Sequence, residues 1–292
     1  MEKNTEKKIA VVSFEAGSAE LLSNYLKKKK INNYIFFLNS TTKKIFIKNK
    51  IKIFNIKSSI KHFTNVKKII FGASYDNKEI KLIDKIKKKK FKTECFLDHW
   101  FFYRKRLSLK KKIYSPDKIY VFNKHALREI KKISFKNTKI ILKKNPILNK
   151  IKNKNLKIKF KKKKSVIFLN NVLLNNERSK EYLSNSLLIK NSLKILRSIN
   201  SDKKYYIKLH PSNNQKIYEK FIKKFKELVV IKENKLENIL SKSNLIITNN
   251  SSVLFFAHIM GIKNINIIKN DSNIIPKNYS DKVINIKDLK ST

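Results

Sequence analysis

The chain has 292 residues, 41% of them hydrophobic and 11% aromatic, so it is long and apolar enough for two cored domains and excludes wholesale disorder. Its formal net charge of +49 comes almost entirely from lysine, since Arg104, Arg106, Arg128, Arg178 and Arg197 are the only arginines. With abundant Asn, Ile, Phe and Tyr and only three Gly and four Pro, this points chiefly to an A/T-biased genome rather than a nucleic-acid-binding surface, although a salt-sensitive peripheral contact with an anionic membrane face stays open. The single cysteine, Cys95, excludes an intramolecular disulfide, and its apolar run Cys95-Phe96-Leu97 marks it as a buried hydrophobe. No Cys/His spacing suits a metal, and no cofactor is implied. No segment is apolar enough to span a membrane, and Met1-Glu2-Lys3-Asn4 lacks the apolar core of a signal peptide, so the expected location is cytoplasmic.

Along the first half, short β-rich runs alternate with helical patterns. Ile9–Phe14 reads as a strand, followed by a turn at Ala16-Gly17-Ser18 and a helix from about Ala19 to Lys29. Tyr34–Leu38 reads as a strand, and Lys44–Phe54, alternating Lys with apolar residues, as another. Ile69–Phe71 is a strand ending at Gly72, with a helix from about Asn77 to Lys89. Glu94–Leu97 is a strand ending in Asp98-His99-Trp100, and Ile119–Phe122 another, followed by a helix from His125 to about Ile133 and a strand at Lys139–Leu142.

From about Asn149 to Lys164 the pattern gives way to Lys- and Asn-rich sequence, which places a basic linker at 151–164 between domains at 1–150 and 165–292. Alternation then resumes: strand Val166–Leu169, a long helix from about Ser179 to Ile199, strand Tyr205–Leu209, helix Ile217–Leu228, strand Val229–Lys232 and helix Leu236–Ser241. Strand Leu245–Thr248, helix Val253–Met260 with Gly261 as C-cap, and strand Asn264–Ile268 follow, and the last twenty or so residues are expected to cross back over the surface. The class is α/β, with two Rossmann-like domains facing across a cleft.

Two polar strings follow predicted strands of the second half. His210-Pro211 ends one strand, where Pro fixes φ without wasting a donor and holds the imidazole at the carboxyl edge of the sheet, the edge at which open α/β sheets bind ligands. There an imidazole can donate to a phosphate oxygen or protonate a leaving phosphate. Asn249-Asn250-Ser251-Ser252 lies where a strand passes into a helix; N–H groups and hydroxyls at that junction suit a phosphate, though simple N-capping explains the same residues. In the first half, Glu15 follows the first strand and Asp98 another, making them candidate bases toward an acceptor hydroxyl. His99, Trp100 and Arg104 add imidazole, aromatic and guanidinium groups suited to an acceptor bearing hydroxyls and acidic groups. There is no Asp-x-Asp, which argues against a donor held through a divalent metal.

A strand into His210-Pro211 and a strand into Ser251-Ser252 resemble the donor-binding domain of GT-B glycosyltransferases that use cytidine-activated donors: bacterial sialyltransferases and polysialyltransferases, and CDP-glycerol glycerophosphotransferases, to whose serine motif Asn249–Ala257 is similar. The resemblance is detailed over about Lys204–Ile268, and the carboxylate motif of the sialyltransferases is absent. It implies a metal-independent transferase with His210, Pro211, Asn250, Ser251 and Ser252 at the donor phosphate. Its partners would be a CMP- or CDP-linked donor and a glycan or lipid-linked glycan of a bacterial surface. A GT-B sugar-nucleotide epimerase or hydrolase, a basic nucleic-acid-binding protein and a catalytically dead relative are the other readings.

Overall fold

The computed structural model describes residues 8–27, 29, 33–53, 56–57, 60–63, 65–86, 91–98, 102–148, 164–169, 178–199, 204–210, 213, 215–232, 235–268 and 275–289. The chain divides into two units, Met1–Asn149 and Lys150–Thr292. Of the linker expected at 151–164, only Lys164 lies within the described residues.

The first unit is a six-stranded parallel sheet in the order β2-β1-β3-β4-β7-β8, formed by β1 (Lys8–Ser13), β2 (Tyr34–Leu38), β3 (Val66–Gly72), β4 (Lys92–Phe96), β7 (Lys118–Val121) and β8 (Lys139–Leu142). A small antiparallel pair, β5 (Ser108–Leu109) and β6 (Lys112–Ile113), sits beside it in sequence. Its helices are α1 (Ala16–Leu26), α2 (Ser40–Lys48), α3 (Lys78–Lys85), α4 (Tyr103–Arg106) and α5 (Lys124–Lys131). Side chains alternate faces along a strand, so Ala10 and Val12 enter one core with Ile80 and Ile83 of α3 and Ala126 and Ile130 of α5. Val11 enters the other, with Leu22 and Leu26 of α1 and Phe46 of α2. Helices on both faces of a parallel sheet are what the alternating pattern predicts. Cys95 lies in the first core with no solvent exposure, and burial pushes its thiol pKa well up.

The second unit repeats the plan with β9 (Lys164–Phe168), α6 (Arg178–Ile199), β10 (Tyr205–Lys208), α7 (Gln215–Ile222), β11 (Leu228–Val230), α8 (Leu236–Ser241), β12 (Ser243–Thr248), α9 (Val253–Ile259), β13 (Lys263–Ile268) and β14 (Lys282–Asn285). Its sheet order, β11-β10-β9-β12-β13-β14, is all parallel and is the order of a dinucleotide-binding Rossmann sheet. Strands β1, β4, β7, β8, β9, β13 and β14 each open on a lysine.

Four expectations need correcting. The segment Lys44–Phe54 is not a strand: α2 begins at Ser40, capped by Asn39, whose Oδ1 accepts from Thr42 N at 2.9 Å. Helix period then explains the burial, since Thr42 and Phe46, four apart, face inward while Ile47 is 56% exposed. The turn at Ala16-Gly17-Ser18 is already the first turn of α1. Helix α7 stops at Ile222, and Leu228 belongs to β11, where it pairs with Tyr205. Within the tail, Lys282–Asn285 adds a sixth strand alongside β13, for which the sequence reading made no provision. Gly261 does end α9, with φ +65° at the position after the C-cap.

Candidate functional site

In an open parallel sheet, ligands bind beyond the carboxyl ends of the strands where the strand order reverses. That point lies between β9 and β12 in the second unit and between β1 and β3 in the first.

In the second unit, β12 runs into Asn249-Asn250-Ser251-Ser252 at this edge. Thr248 donates its hydroxyl to Phe168 O at 2.8 Å, tying the ends of β12 and β9 together. Asn249 Nδ2 donates to Ile267 O at 2.8 Å, tying β12 to β13. Asn250 takes φ +42°, a left-handed conformation that Asn tolerates better than most residues, and its N–H donates to Asn266 Oδ1 at 2.7 Å. Asn266 Nδ2 returns a bond to Asn250 Oδ1 at 3.2 Å, so the turn is held from both ends of one buried side chain. Asn266, three strands' worth of sequence from His210 and absent from the sequence reading, thus fixes the serine turn. The only sequence signal for it is a polar residue at a fully buried position inside the apolar run of β13.

Beyond that turn Ser252 is the N-cap of α9, yet its side chain makes no capping bond. Ser251 is half-buried and its Oγ accepts only a long 3.4 Å bond from Val253 N, while Ser252 is exposed. Capping therefore engages Ser251 only through that long bond and does not account for Ser252. His210 follows β10, the neighbour of β9; its N–H donates to Asn213 Oδ1 at 2.7 Å and its carbonyl accepts from Asn213 N at 2.9 Å, closing a tight turn. Burial, and then the nearby Lys208 ammonium, push the His210 pKa from 6.5 down to about 4. The residue keeps part of its surface open to solvent, so crowding at the sheet edge, not a sealed pocket, causes this. At neutral pH His210 is an uncharged imidazole with one N–H to donate. Pro211 lies outside the described residues.

In the first unit the end of β1 is gripped from both sides. Asn39 Nδ2 donates to Phe14 O at 2.8 Å and Thr42 Oγ1 to Ser13 O at 2.9 Å. From the β3 side, Glu79 has no solvent exposure and accepts from Phe14 N at 2.8 Å and Ser74 N at 3.0 Å. Burial raises its pKa from 4.5 to about 7, against the lowering effect of those hydrogen bonds. Glu15 is held as firmly: Tyr75 N donates to Oε1 at 2.7 Å and Arg106 Nη1 to Oε2 at 3.0 Å. Arg106, fully buried, also donates to Ala73 O at 2.9 Å. One ion pair thereby joins the loops after β1 and β3 to α4.

Asp98 is half-buried after β4, with its carboxylate directly on the first turn of α1. A Cβ at Gly17 would stand 2.0 Å from Asp98 Oδ2, so only glycine permits this approach. Arg104, on α4, is exposed; His99 and Trp100 lie outside the described residues. Glu15 and Asp98 thus share one edge of the first unit, as His210, Asn250, Ser251 and Ser252 share one edge of the second. Of the two residues that lock the first edge, Glu79 was not expected at the site, and Arg106, which the sequence places with Arg104 after Asp98-His99-Trp100, turns its guanidinium inward to Glu15.

The fold has relatives among solved structures. The UDP-GlcNAc 2-epimerase of Neisseria meningitidis bound to UDP-GlcNAc matches over 93% of this chain and 85% of that one, with a TM-score of 0.63 and 12% identity. The S. aureus MnaA structure with UDP matches over 89% and 79%, at 0.61 and 10%. The UDP-GlcNAc 2-epimerase of Methanocaldococcus jannaschii matches over 89% and 83%, at 0.52 and 14%. The chain has the GT-B fold. Neither a protein-family model nor a curated protein sequence matches it. These likenesses support the GT-B fold and not the cytidine-donor families that the motifs resemble. Among the described residues, no helix is long and apolar enough to cross a membrane.

Proposed function

We propose that this GT-B chain is a nucleotide-sugar enzyme acting at the bond between the sugar and the nucleotide's terminal phosphate. The observation that carries the proposal is the Asn250–Asn266 lock, which presents the Ser252 hydroxyl and the weakly engaged Ser251 hydroxyl at the switch point of a Rossmann-ordered sheet, with a neutral imidazole at the next strand end but one. Backbone N–H groups, hydroxyls and a single imidazole N–H offer donors to a phosphate without a metal. A bound phosphate dianion favours the imidazolium, so its arrival raises the His210 pKa from its low starting value and lets His210 follow the charge leaving with the nucleotide. Ser251 and Ser252 donate to the same phosphate.

The reading that the fold likeness favours needs no acceptor: a nucleotide-sugar epimerase or hydrolase. Inverting a sugar carbon requires one group to remove a carbon-bound proton and another to return one. Glu15 and Asp98 are the carboxylates assigned to this, because both keep exposed surface at the ligand edge of the first unit while Glu79 keeps none. The second reading, transfer from a cytidine-linked donor to a surface glycan, rests on the His-Pro and Ser-Ser pair.

Incubating the protein with UDP-GlcNAc, and separately with CMP- and CDP-linked donors, tests both readings without acceptor present. Proton NMR showing inversion at a ring carbon or free nucleotide supports the first. Turnover that appears only when a glycan acceptor is added supports the second. Failure of all three nucleotide families to bind or react would remove the proposal, and a His210→Ala protein with unaltered donor affinity and turnover would remove the phosphate assignment.

A further inference from the structure

A lysine cluster that the candidate site does not use lies on the face of the first sheet covered in part by α1. Residues two apart on a strand share a face, so Glu94 and Phe96 of β4 point the same way, as do Lys118 and Tyr120 of β7. Phe96 packs against Tyr25 of α1, ring centroids 4.7 Å apart, and against Tyr120 at 4.6 Å. Beside them Glu94, only 6% exposed, lies with Oε1 3.2 Å from Lys68 Nζ and 3.7 Å from Lys118 Nζ. Just past β8, Lys143 lays its ammonium 4.2 Å over the Tyr120 ring and 5.3 Å from the centroid of Tyr25. Lys29 approaches Tyr25 at 5.8 Å.

Other lysines are paired singly, as Lys105 is over Tyr75 and Lys132 with Glu129, but these four gather around one carboxylate and two adjoining rings. Glu94 pins two of them, and the faces of Tyr25 and Tyr120 hold the other two. A side chain fixed before its ligand arrives loses less rotamer freedom on binding. They also repel one another. Partial burial first, then Lys29, Lys118 and Lys68, hold the Lys143 ammonium below its ordinary pKa, with Glu94 alone pulling the other way. Four ammonium groups around one already shared carboxylate leave an excess of positive charge that a multivalent anion relieves. Tyr120 is itself 5% exposed, so the rings serve as a floor under the lysines and not as an open stacking platform.

We propose that Lys29, Lys68, Lys118 and Lys143 form a second anion site, which takes a phosphate-bearing ligand of at least two negative charges on a floor of Tyr25 and Tyr120. Lysine suits this as a compact point charge for phosphate, with no bidentate geometry to satisfy. The site differs from the ligand edge of the same unit in the elements that build it: Lys68 and Lys118 project from β3 and β7, and Lys29 and Lys143 follow α1 and β8, whereas Glu15 and Asp98 follow the carboxyl ends of β1 and β4. It stands whether or not the nucleotide-sugar reading does.

The test is calorimetric titration of inorganic pyrophosphate into the full chain at low salt, with two charge-matched double variants. K118Q/K143Q removes two site lysines; K131Q/K136Q removes two exposed lysines elsewhere in the unit. Lys131 and Lys136 are exposed and Lys118 and Lys143 half-buried, and unchanged urea midpoints confirm folding of both variants. The expected result is a binding component weakened by about tenfold or more in K118Q/K143Q, and by less than about twofold in K131Q/K136Q. That component persists in His210→Ala, which separates it from pyrophosphate bound at the second unit. Sedimentation with phosphatidylglycerol or phosphatidylcholine vesicles distinguishes the source of the phosphate. Capture by the anionic vesicles alone, lost in K118Q/K143Q and kept in K131Q/K136Q, identifies a lipid headgroup; pyrophosphate binding without capture identifies a soluble ligand. If neither probe separates the two double variants, through equal loss or no binding at all, the attraction is the general surface charge and the site does not exist.

Discussion

Replacing Glu79 by Gln should abolish the fall in the first unit's stability as pH rises from about 4.5 to 7. The carboxyl has no solvent exposure, and its pKa is about 7 in the folded chain against 4.5 for an ordinary glutamate. A folded-state pKa above the unfolded value means that the native state holds the proton more tightly. Below about pH 4.5 both states are protonated and the group is neutral in its effect. As pH rises toward 7 the unfolded chain ionises first, so stability falls, and above 7 the whole penalty is present. At about 1.4 kcal/mol per pH unit this amounts to roughly 3 kcal/mol. Gln cannot titrate, so that slope disappears. It also turns an amide N–H toward either Phe14 N or Ser74 N, both of which donate to Glu79, and this unsatisfied donor costs about 1–3 kcal/mol at every pH. The variant is therefore less stable than wild type in acid and equal or better in mild alkali. His210 acts in the opposite sense in the second unit. Its pKa of about 4 lies below the usual 6.5, so stability falls as pH drops through that window, by an amount reduced because the ring is partly solvated. The two windows nearly coincide, and the two contributions oppose and partly offset each other. Urea unfolding followed by circular dichroism, from about pH 5 to 8, on wild type, Glu79→Gln and His210→Asn separates them. Parallel pH profiles for wild type and Glu79→Gln would refute the reasoning.

Three further outcomes follow from the same geometry. Asn266→Ala removes the acceptor of the buried Asn250 N–H and should cost the second unit about 1–3 kcal/mol in urea, with a loss of nucleotide affinity measured by calorimetry. Ser252→Ala should change stability by less than about 0.5 kcal/mol, because no capping bond is lost, while nucleotide affinity falls severalfold; the reverse pattern would make Ser252 an ordinary cap. Arg106→Met leaves Glu15 without its buried partner and should destabilise the first unit by about 3 kcal/mol, the lower end for a broken buried pair because Glu15 is 21% exposed, with part of the loss recovered in Arg106→Lys.

Local chemistry made most of the fold legible. Tyr34–Leu38 and Lys139–Leu142 read directly as strands because short apolar runs are bounded by polar residues, and Leu236–Ser241 read as a helix between two of them. Lys44–Phe54 misled because lysine and isoleucine alternate there by chance of composition, while the deciding signal, Asn39 capping Thr42, lies before the run. His210 and the two serines could be placed at the edge of the second sheet from sequence because strand ends and turn residues are local features. The lock on the serine turn could not, since Asn266 lies sixteen residues beyond Asn250 and acts through a side chain buried in the sheet. The first edge was least legible of all. Sequence offers Glu15 as a candidate base but gives no sign that Arg106, ninety-one residues away, folds against it.

The lysines that open seven of the parallel strands bear on a stage the folded protein no longer shows. Parallel sheets rely on contacts far apart in sequence and assemble slowly, and until they close, runs such as Ile9–Val12 and Val166–Phe168 are sticky to any neighbouring chain. A charge at the head of such a run acts as a gatekeeper, because stacking like runs from two chains brings like charges together. Whatever supplied the lysine, the parallel topology puts it where an unfinished chain is kept from aggregating.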